Sequence, residues 1–253
     1  MALASASVPP PLVLLHGFLD SPHTWDLVRP VLERSHDVLA PALAGHAGGP
    51  AYDGDLAGAV ERAMDDAGFE TAHIAGNSLG GYVALQLAER GRARTRRRCA
   101  PAGGWADGRA PAELLDEQAR VYAQARRIAP RADAALATPE GRRRATRLIT
   151  VNYEHIPADL LVRQTLAIAS APAAPEMLAA ARDDDWPLDA ERIDVPVRIV
   201  WGTHDALLPW PSAAARYRTQ LLPHADWVVL DDVGHCPQLD VPTETAQLIL
   251  GVP

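Results

Sequence analysis

Ile74-Ala75-Gly76-Asn77-Ser78-Leu79-Gly80-Gly81-Tyr82 is the stretch on which the reading of this chain turns. An apolar run from Thr71 to Ala75 reads as a buried strand and breaks at Gly76. From Leu79 onward, Leu85, Leu87 and Ala88 follow helical spacing. A serine at a strand-to-helix junction, with glycine two residues before and two after, matches G-x-S-x-G. The turn is tight enough that Gly76 and Gly80 must let backbones approach where a Cβ would clash. Ser78 is pushed out above the sheet, and the following helix aims N–H groups and a positive dipole end at the same place. This pattern occurs by chance in many chains, so the partners of Ser78 must come from elsewhere.

The 253 residues suit one α/β domain with a sizeable insertion. A net charge of −8 disfavours nucleic acid and anionic membrane as partners. No apolar run approaches the roughly 20 residues needed to span a bilayer. Met1 to Val8 lacks both a basic segment and a long apolar one, so it reads as a frayed terminus or expression remnant, not a secretory signal. Two cysteines, Cys99 and Cys236, are too few for a disulfide framework and suit a reducing cytoplasm. All 24 basic residues are arginine, which with the abundant alanine points to codon bias.

Strand and helix signals alternate along the first part. Val8 to Leu15 is a strand closing on His16-Gly17-Phe18, and Ser21 to Glu33 has helical spacing despite Pro30. Asp37 to Leu43 is a second strand and Tyr52 to Ala67 a second helix. This alternation predicts an α/β fold, with a mostly parallel sheet of about six strands covered by helices on both faces. Topology calls for another buried strand near Ala93 to Ala100, yet that stretch reads Arg94-Thr95-Arg96-Arg97-Arg98. Burying so many unpaired guanidinium groups is prohibitive. It is either a distorted or partly disordered strand or a local error in the recorded sequence.

Helix signals then run without strands. Ala112 to Ile128 is amphipathic, Thr138-Pro139 opens a helix towards Val151, Pro157 opens one through Ala169, and Pro175 one to about Arg182. The expected division is a core of residues 1–104 and 186–253 with a helical lid at 105–185. Strands resume at Val195 to Trp201 and Asp226 to Leu230, with helices at Ser212 to Leu221 and Thr243 to Leu250.

Serine chemistry needs a base, an acid to orient it, and oxyanion donors. Asp205 follows the strand ending at Trp201, and His235 follows the last strand, both at carboxyl ends where sites in parallel sheets form. The order Ser78, Asp205, His235, together with His16-Gly17-Phe18, resembles the α/β-hydrolase superfamily, in its lidded esterase, C–C hydrolase and haloperoxidase-like branch. The resemblance covers nearly the whole chain. It implies a catalytic triad of those three residues and an oxyanion hole made by the backbone N–H groups of Phe18 and Leu79. Two features depart from it: the N-terminal antiparallel strands of many relatives are missing, and the arginine-rich stretch stands where a buried strand belongs.

The plainer readings assign His16 to bonding backbone near the oxyanion loop and Cys236 to packing. Trp105, Tyr122, Tyr153 and Trp186 belong to the lid core, with one or two lining a pocket. Arg142 to Arg144 form a solvated face. Asp231, Asp232 and His204 are weak competitors for the triad. No metal-ligand spacing is present, and Gly45-His46 with Gly48-Gly49 lacks the Lys-Ser/Thr of a phosphate loop. The expected activity is hydrolysis of a small-to-medium carboxylic ester through an acyl-enzyme, with no cofactor and no metal. One alternative is a C–C hydrolase or lyase acting on a carboxylate-bearing substrate, which an arginine in the pocket would favour. Another is a ligand receptor or pseudo-enzyme. The expected partner is a small-molecule substrate, and a monomer and a homodimer fit equally.

Overall fold

A computed structural model describes residues 9–251, so Met1 to Val8 lies outside the described residues. Six strands form one sheet in the order β2-β1-β3-β4-β5-β6, and every pairing is parallel. They are β1 (Pro11–Leu15), β2 (Asp37–Leu39), β3 (Ala72–Asn77), β4 (Ala93–Cys99), β5 (Val197–Gly202) and β6 (Asp226–Leu230).

Alternation along the central strands builds two cores. Val13, Leu15 and Ile74 face one side, against α2 (Leu56–Asp66) and α3 (Leu79–Glu89), where Val60, Met64, Val83 and Leu87 are buried. Leu12, Leu14 and Ala75 face the other, against Trp25, Val28 and Leu32 and against Ala246 and Ile249 of the last helix. Each aliphatic side chain so buried contributes about 1.5–3 kcal/mol.

The helix expected over Ser21 to Glu33 is broken. A 3-10 turn covers Pro22–Trp25, and α1 holds only Arg29–Leu32. Pro30 has no N–H to donate and its ring would clash with a carbonyl four residues back, so it fits only the first turn of a new helix. The apolar residues stay buried without a continuous helix.

The arginine-rich segment does form its strand. The β4 backbone pairs with β3 from Ile74/Arg96 to Asn77/Cys99, and with β5 from Arg96/Val197 to Cys99/Val200. Main-chain pairing needs no particular side chain; the side chains of residues 95–99 lie outside the described residues.

Between β4 and β5 run α4 (Ala112–Ile128), α5 (Ala132–Leu136), α6 (Pro139–Thr146), α7 (Ala158–Ala169) and α8 (Ala174–Asp183). Four helices were expected here; α5 is the extra one, after a 3-10 turn containing Pro130. Thr138 caps α6 as its spacing predicts, accepting from the Gly141 N–H, but α6 ends at Thr146 and does not reach Val151. The segment Ser212 to Leu221 is helical throughout, with 3-10 geometry at its start and π geometry from Tyr217. A short α9 (Pro237–Asp240) and then α10 (Pro242–Leu250) close the fold. No helix among the described residues is long and apolar enough to cross a membrane.

Candidate active site

Ser78 sits between β3 and α3 with φ 54° and ψ −119°, a left-handed conformation that a residue bearing a Cβ adopts only when its surroundings impose it. Two glycines impose it. A Cβ at Gly76 would drive into the Gly80 carbonyl, and one at Gly80 into the carbonyls of Leu15 and His16. The helix packs this close to the sheet only without those carbons, and Leu79 becomes its first residue.

Asp205 and His235 meet from two separate loops. His235 Nδ1 lies 2.7 Å from Asp205 Oδ2, and the two side chains are 4% and 0% exposed. The other carboxylate oxygen of Asp205 accepts from the Leu207 and Leu208 amides at 2.9 and 2.7 Å. Asp205 is thus locked by its own turn, with one oxygen left for the imidazole. A carboxylate only accepts, so Nδ1 carries the proton and Nε2 is the basic nitrogen.

The His235 loop is held from behind. Asn77, next to Ser78, donates from Nδ2 to the His235 carbonyl at 2.9 Å. Asp240 is 2% exposed and accepts from the Gly234 amide at 2.7 Å, from the Val151 and Asn152 amides, and from Asn152 Nδ2. Gln238 donates to Thr24 Oγ1 and to Asn77 Oδ1.

Two cavities adjoin Ser78, and Ser78, His235 and Phe18 line both. The larger is about 260 Å³. Its wall includes Tyr82, Trp105 and Trp186, whose rings meet edge-on at 4.9 and 5.5 Å. Tyr82 donates to the Pro187 carbonyl at 2.6 Å, and burial pushes its phenol well above the usual range. The smaller, about 100 Å³, is lined in part by Asp20, Gln118, Gln164 and Cys236. Burial raises the Asp20 carboxyl to about 6, against hydrogen bonds from Ser21, Thr24 and Gln164 and the nearby His235, which pull it down.

The expected site residues Ser78, His235, Phe18 and Leu79 therefore border one cavity, and Asp205 stands behind His235. His16 is fully buried: Nε2 accepts from the Leu43 amide, and Nδ1 reaches the Gly17 carbonyl at 2.8 Å. Its ring meets that of His46 edge-on at 4.9 Å. Burial drives His16 down to about 3 and His46 to about 4, so both are neutral supports beneath the loop. His204 is exposed beside Asp232, and Asp231 accepts from Thr203, all outside both cavities. Trp105 and Trp186 line the larger cavity, whereas Tyr122 donates to the Ala171 carbonyl and Tyr153 packs near Leu161. Cys236 packs beside Leu239. Arg143 and Arg144 are exposed and paired with Glu140; Arg142 is only half-buried and bonds the Ala137 carbonyl. Sequence reasoning missed Asp20, His46, Gln164, Gln238 and Asp240; a carboxyl two residues past Phe18 was the one available signal.

Comparison with known proteins gives a consistent picture. A family model described as the alpha/beta hydrolase family matches residues 12–248. The chain is 36% identical over 199 residues to epoxide hydrolase EphH of Mycobacterium tuberculosis, covering 77% of this chain and 91% of that protein. It is 32% identical over 256 residues to the pimeloyl-[acyl-carrier protein] methyl ester esterase of Aromatoleum aromaticum, covering 95% and 96%. Among solved structures, the 2-hydroxy-6-oxo-6-phenylhexa-2,4-dienoate hydrolase of Rhodococcus superposes with a TM-score of 0.72 at 23% identity, covering 96% of this chain and 90% of that one. The chain belongs to the alpha/beta hydrolase family and is an enzyme of that family.

Proposed function

We propose that the protein is a serine esterase that cleaves a small-to-medium carboxylic ester through an acyl-enzyme. The observation that carries this reading is the placement of His235, bonded to Asp205 at 2.7 Å and sharing both cavity walls with Ser78. In this mechanism Ser78 attacks the acyl carbon while His235 takes its proton and returns it to the leaving alcohol. Asp205 holds the histidine tautomer and stabilises the imidazolium. The Phe18 and Leu79 amides stabilise the oxyanion, each worth roughly 3 kcal/mol in comparable sites. Water then attacks the acyl-enzyme, His235 removes its proton, and Ser78 is released. The helices α4 to α8, within residues 105–185, act as the lid.

Competing chemistries fit less well. A hydroxyl nucleophile opening an epoxide would form an ether, which water does not cleave, so Ser78 supports acyl transfer over the reaction in EphH's name. The methyl ester esterase relative supports an ester. No arginine lines either cavity beside Ser78 among the described residues, which disfavours the carboxylate-bearing substrate of the C–C reading. We place the enzyme in the cytoplasm, acting on a small molecule and needing neither nucleic acid, membrane nor cofactor.

The test is a pre-steady-state assay with p-nitrophenyl esters of increasing acyl length. A burst near one equivalent of enzyme, absent from Ser78→Ala, is expected. A folded wild type with neither burst nor turnover would overturn the proposal.

A further inference from the structure

We propose that Asp20 and Gln164 form a positioning pair through which the lid sets the loop carrying the Phe18 amide, an inference that rests on the esterase reading above. Asp20 lies two residues after Phe18, and Gln164 lies on α7. Asp20 Oδ1 accepts from Gln164 Nε2 at 3.0 Å and from the Ser21 amide at 2.8 Å. One oxygen thus ties the loop both to itself and to a side chain 144 residues away. Gln164 is only 6% exposed, so its amide is committed to this contact.

An independent observation concerns the residue between them. Leu19 has φ 52°, which costs a residue bearing a Cβ about 1 kcal/mol or more unless its neighbours hold it. The neighbours that hold it belong to the lid side. Leu19 clusters with Ala171 and Ala174, and Phe18, Val121, Tyr122 and Ile168 pack against that cluster. The strained turn and the hydrogen bond therefore rest on α4, α7 and the start of α8. Undocking these helices removes both, and docking them restores the turn that presents the Phe18 amide. Lid closure and oxyanion-hole assembly become one event, with Asp20 acting through the loop rather than on substrate.

The experiment measures the second-order rate of Ser78 labelling by a fluorophosphonate, whose phosphoryl oxygen needs the same donors, beside kcat and KM for p-nitrophenyl acetate. Asp20→Ala should label about 30-fold more slowly and lose a similar factor in kcat, with KM within about threefold, a positioning loss smaller than deletion of a donor. Asp20→Asn should recover to within about threefold of wild type, because its amide oxygen still accepts both bonds. Gln164→Met, matched in length but lacking the donor, should be about tenfold slower. Labelling of Asp20→Ala at the wild-type rate would overturn the pair, as would an Asn variant no better than Ala. If Asp20→Ala does not fold, Gln164→Met decides: slow labelling supports the pair and wild-type labelling removes it. A wild type that takes no label at Ser78 would overturn the esterase reading itself, whereas a labelled wild type with indifferent variants removes only the pair.

Discussion

The carboxyl edge of the sheet and the inserted helices meet at the same cavity but are built differently. On the sheet side, backbone packing and buried hydrogen bonds hold every part. Gly76 and Gly80 let α3 touch the strands, Asp205 is clamped by two amides, and Asp240 gathers four donors around the His235 loop. On the other side, α4 buries only Leu115 and Ala125 of its 17 residues. Its other ties include ion pairs of exposed arginines, Arg147 with Glu117 and Arg182 with Asp116. Groups that must hold position to fractions of an ångström sit where main-chain geometry leaves no freedom. Other groups that line the pocket sit on inserted helices such as α4, which has few buried side chains, as the proposed lid would need in order to open and close.

The sharpest test of this contrast is on the sheet side. Ser78→Ala should lower ester turnover by roughly 10⁴-fold or more with unfolding temperature unchanged, and His235→Ala should match it. The double variant should be no worse than either alone, because the residues act as a unit. Steady-state kinetics with thermal melts would check this, and additive losses would break it.

Acid should weaken the same side of the molecule. His16 and His46 are held at about 3 and about 4, below the unfolded value of 6.5, so the unfolded chain binds their protons first. Stability is intact above pH 6.5 and falls as pH drops towards those values, by about 2 kcal/mol for each histidine at pH 5. Asp20, raised to about 6, works in the opposite direction and offsets part of the loss as pH falls through 6. Urea unfolding at pH 7 and pH 5 should show the net loss, and His46→Asn should reduce it by about 2 kcal/mol.

A third substitution tests packing alone. Gly80→Ala should cost about 3 kcal/mol in urea unfolding, because the added carbon meets strand carbonyls that cannot move aside. The smallest effect belongs to the surface of the inserted helices. Arg147→Ala, which removes the ion pair with Glu117, should change stability by less than about 0.5 kcal/mol. A large loss there would show that the inserted helices hold one another more rigidly than their contacts indicate.

What could be read in advance follows the same division. The elbow was legible because its demands are local: a strand, two glycines and a helix in nine residues admit few conformations. Asp205 and His235 were legible because a parallel sheet delivers strand ends, and the loops after them, to one edge. The span Ser21 to Glu33 was misread because apolar spacing at Trp25, Val28 and Leu32 suits two short turns as well as one helix, and Pro30 decides between them. The arginine-rich strand was doubted on its side chains, yet its place was settled by main-chain pairing to β3 and β5.

The sequence by itself determined the alternation of strands and helices, the tight turn that presents Ser78 and the residues that follow each strand end, because these depend on neighbours a few positions apart. Only the tertiary structure decided that Asp20 meets Gln164, that Asp240 gathers the 151–152 backbone and Gly234, and that His46 lies under His16. The Asp240–Asn152 and Asp20–Gln164 bonds join residues 88 and 144 positions apart, which only folding brings together. The physical reason is that a hydrogen bond between distant residues leaves no periodicity behind, whereas steric and hydrophobic demands repeat along the chain.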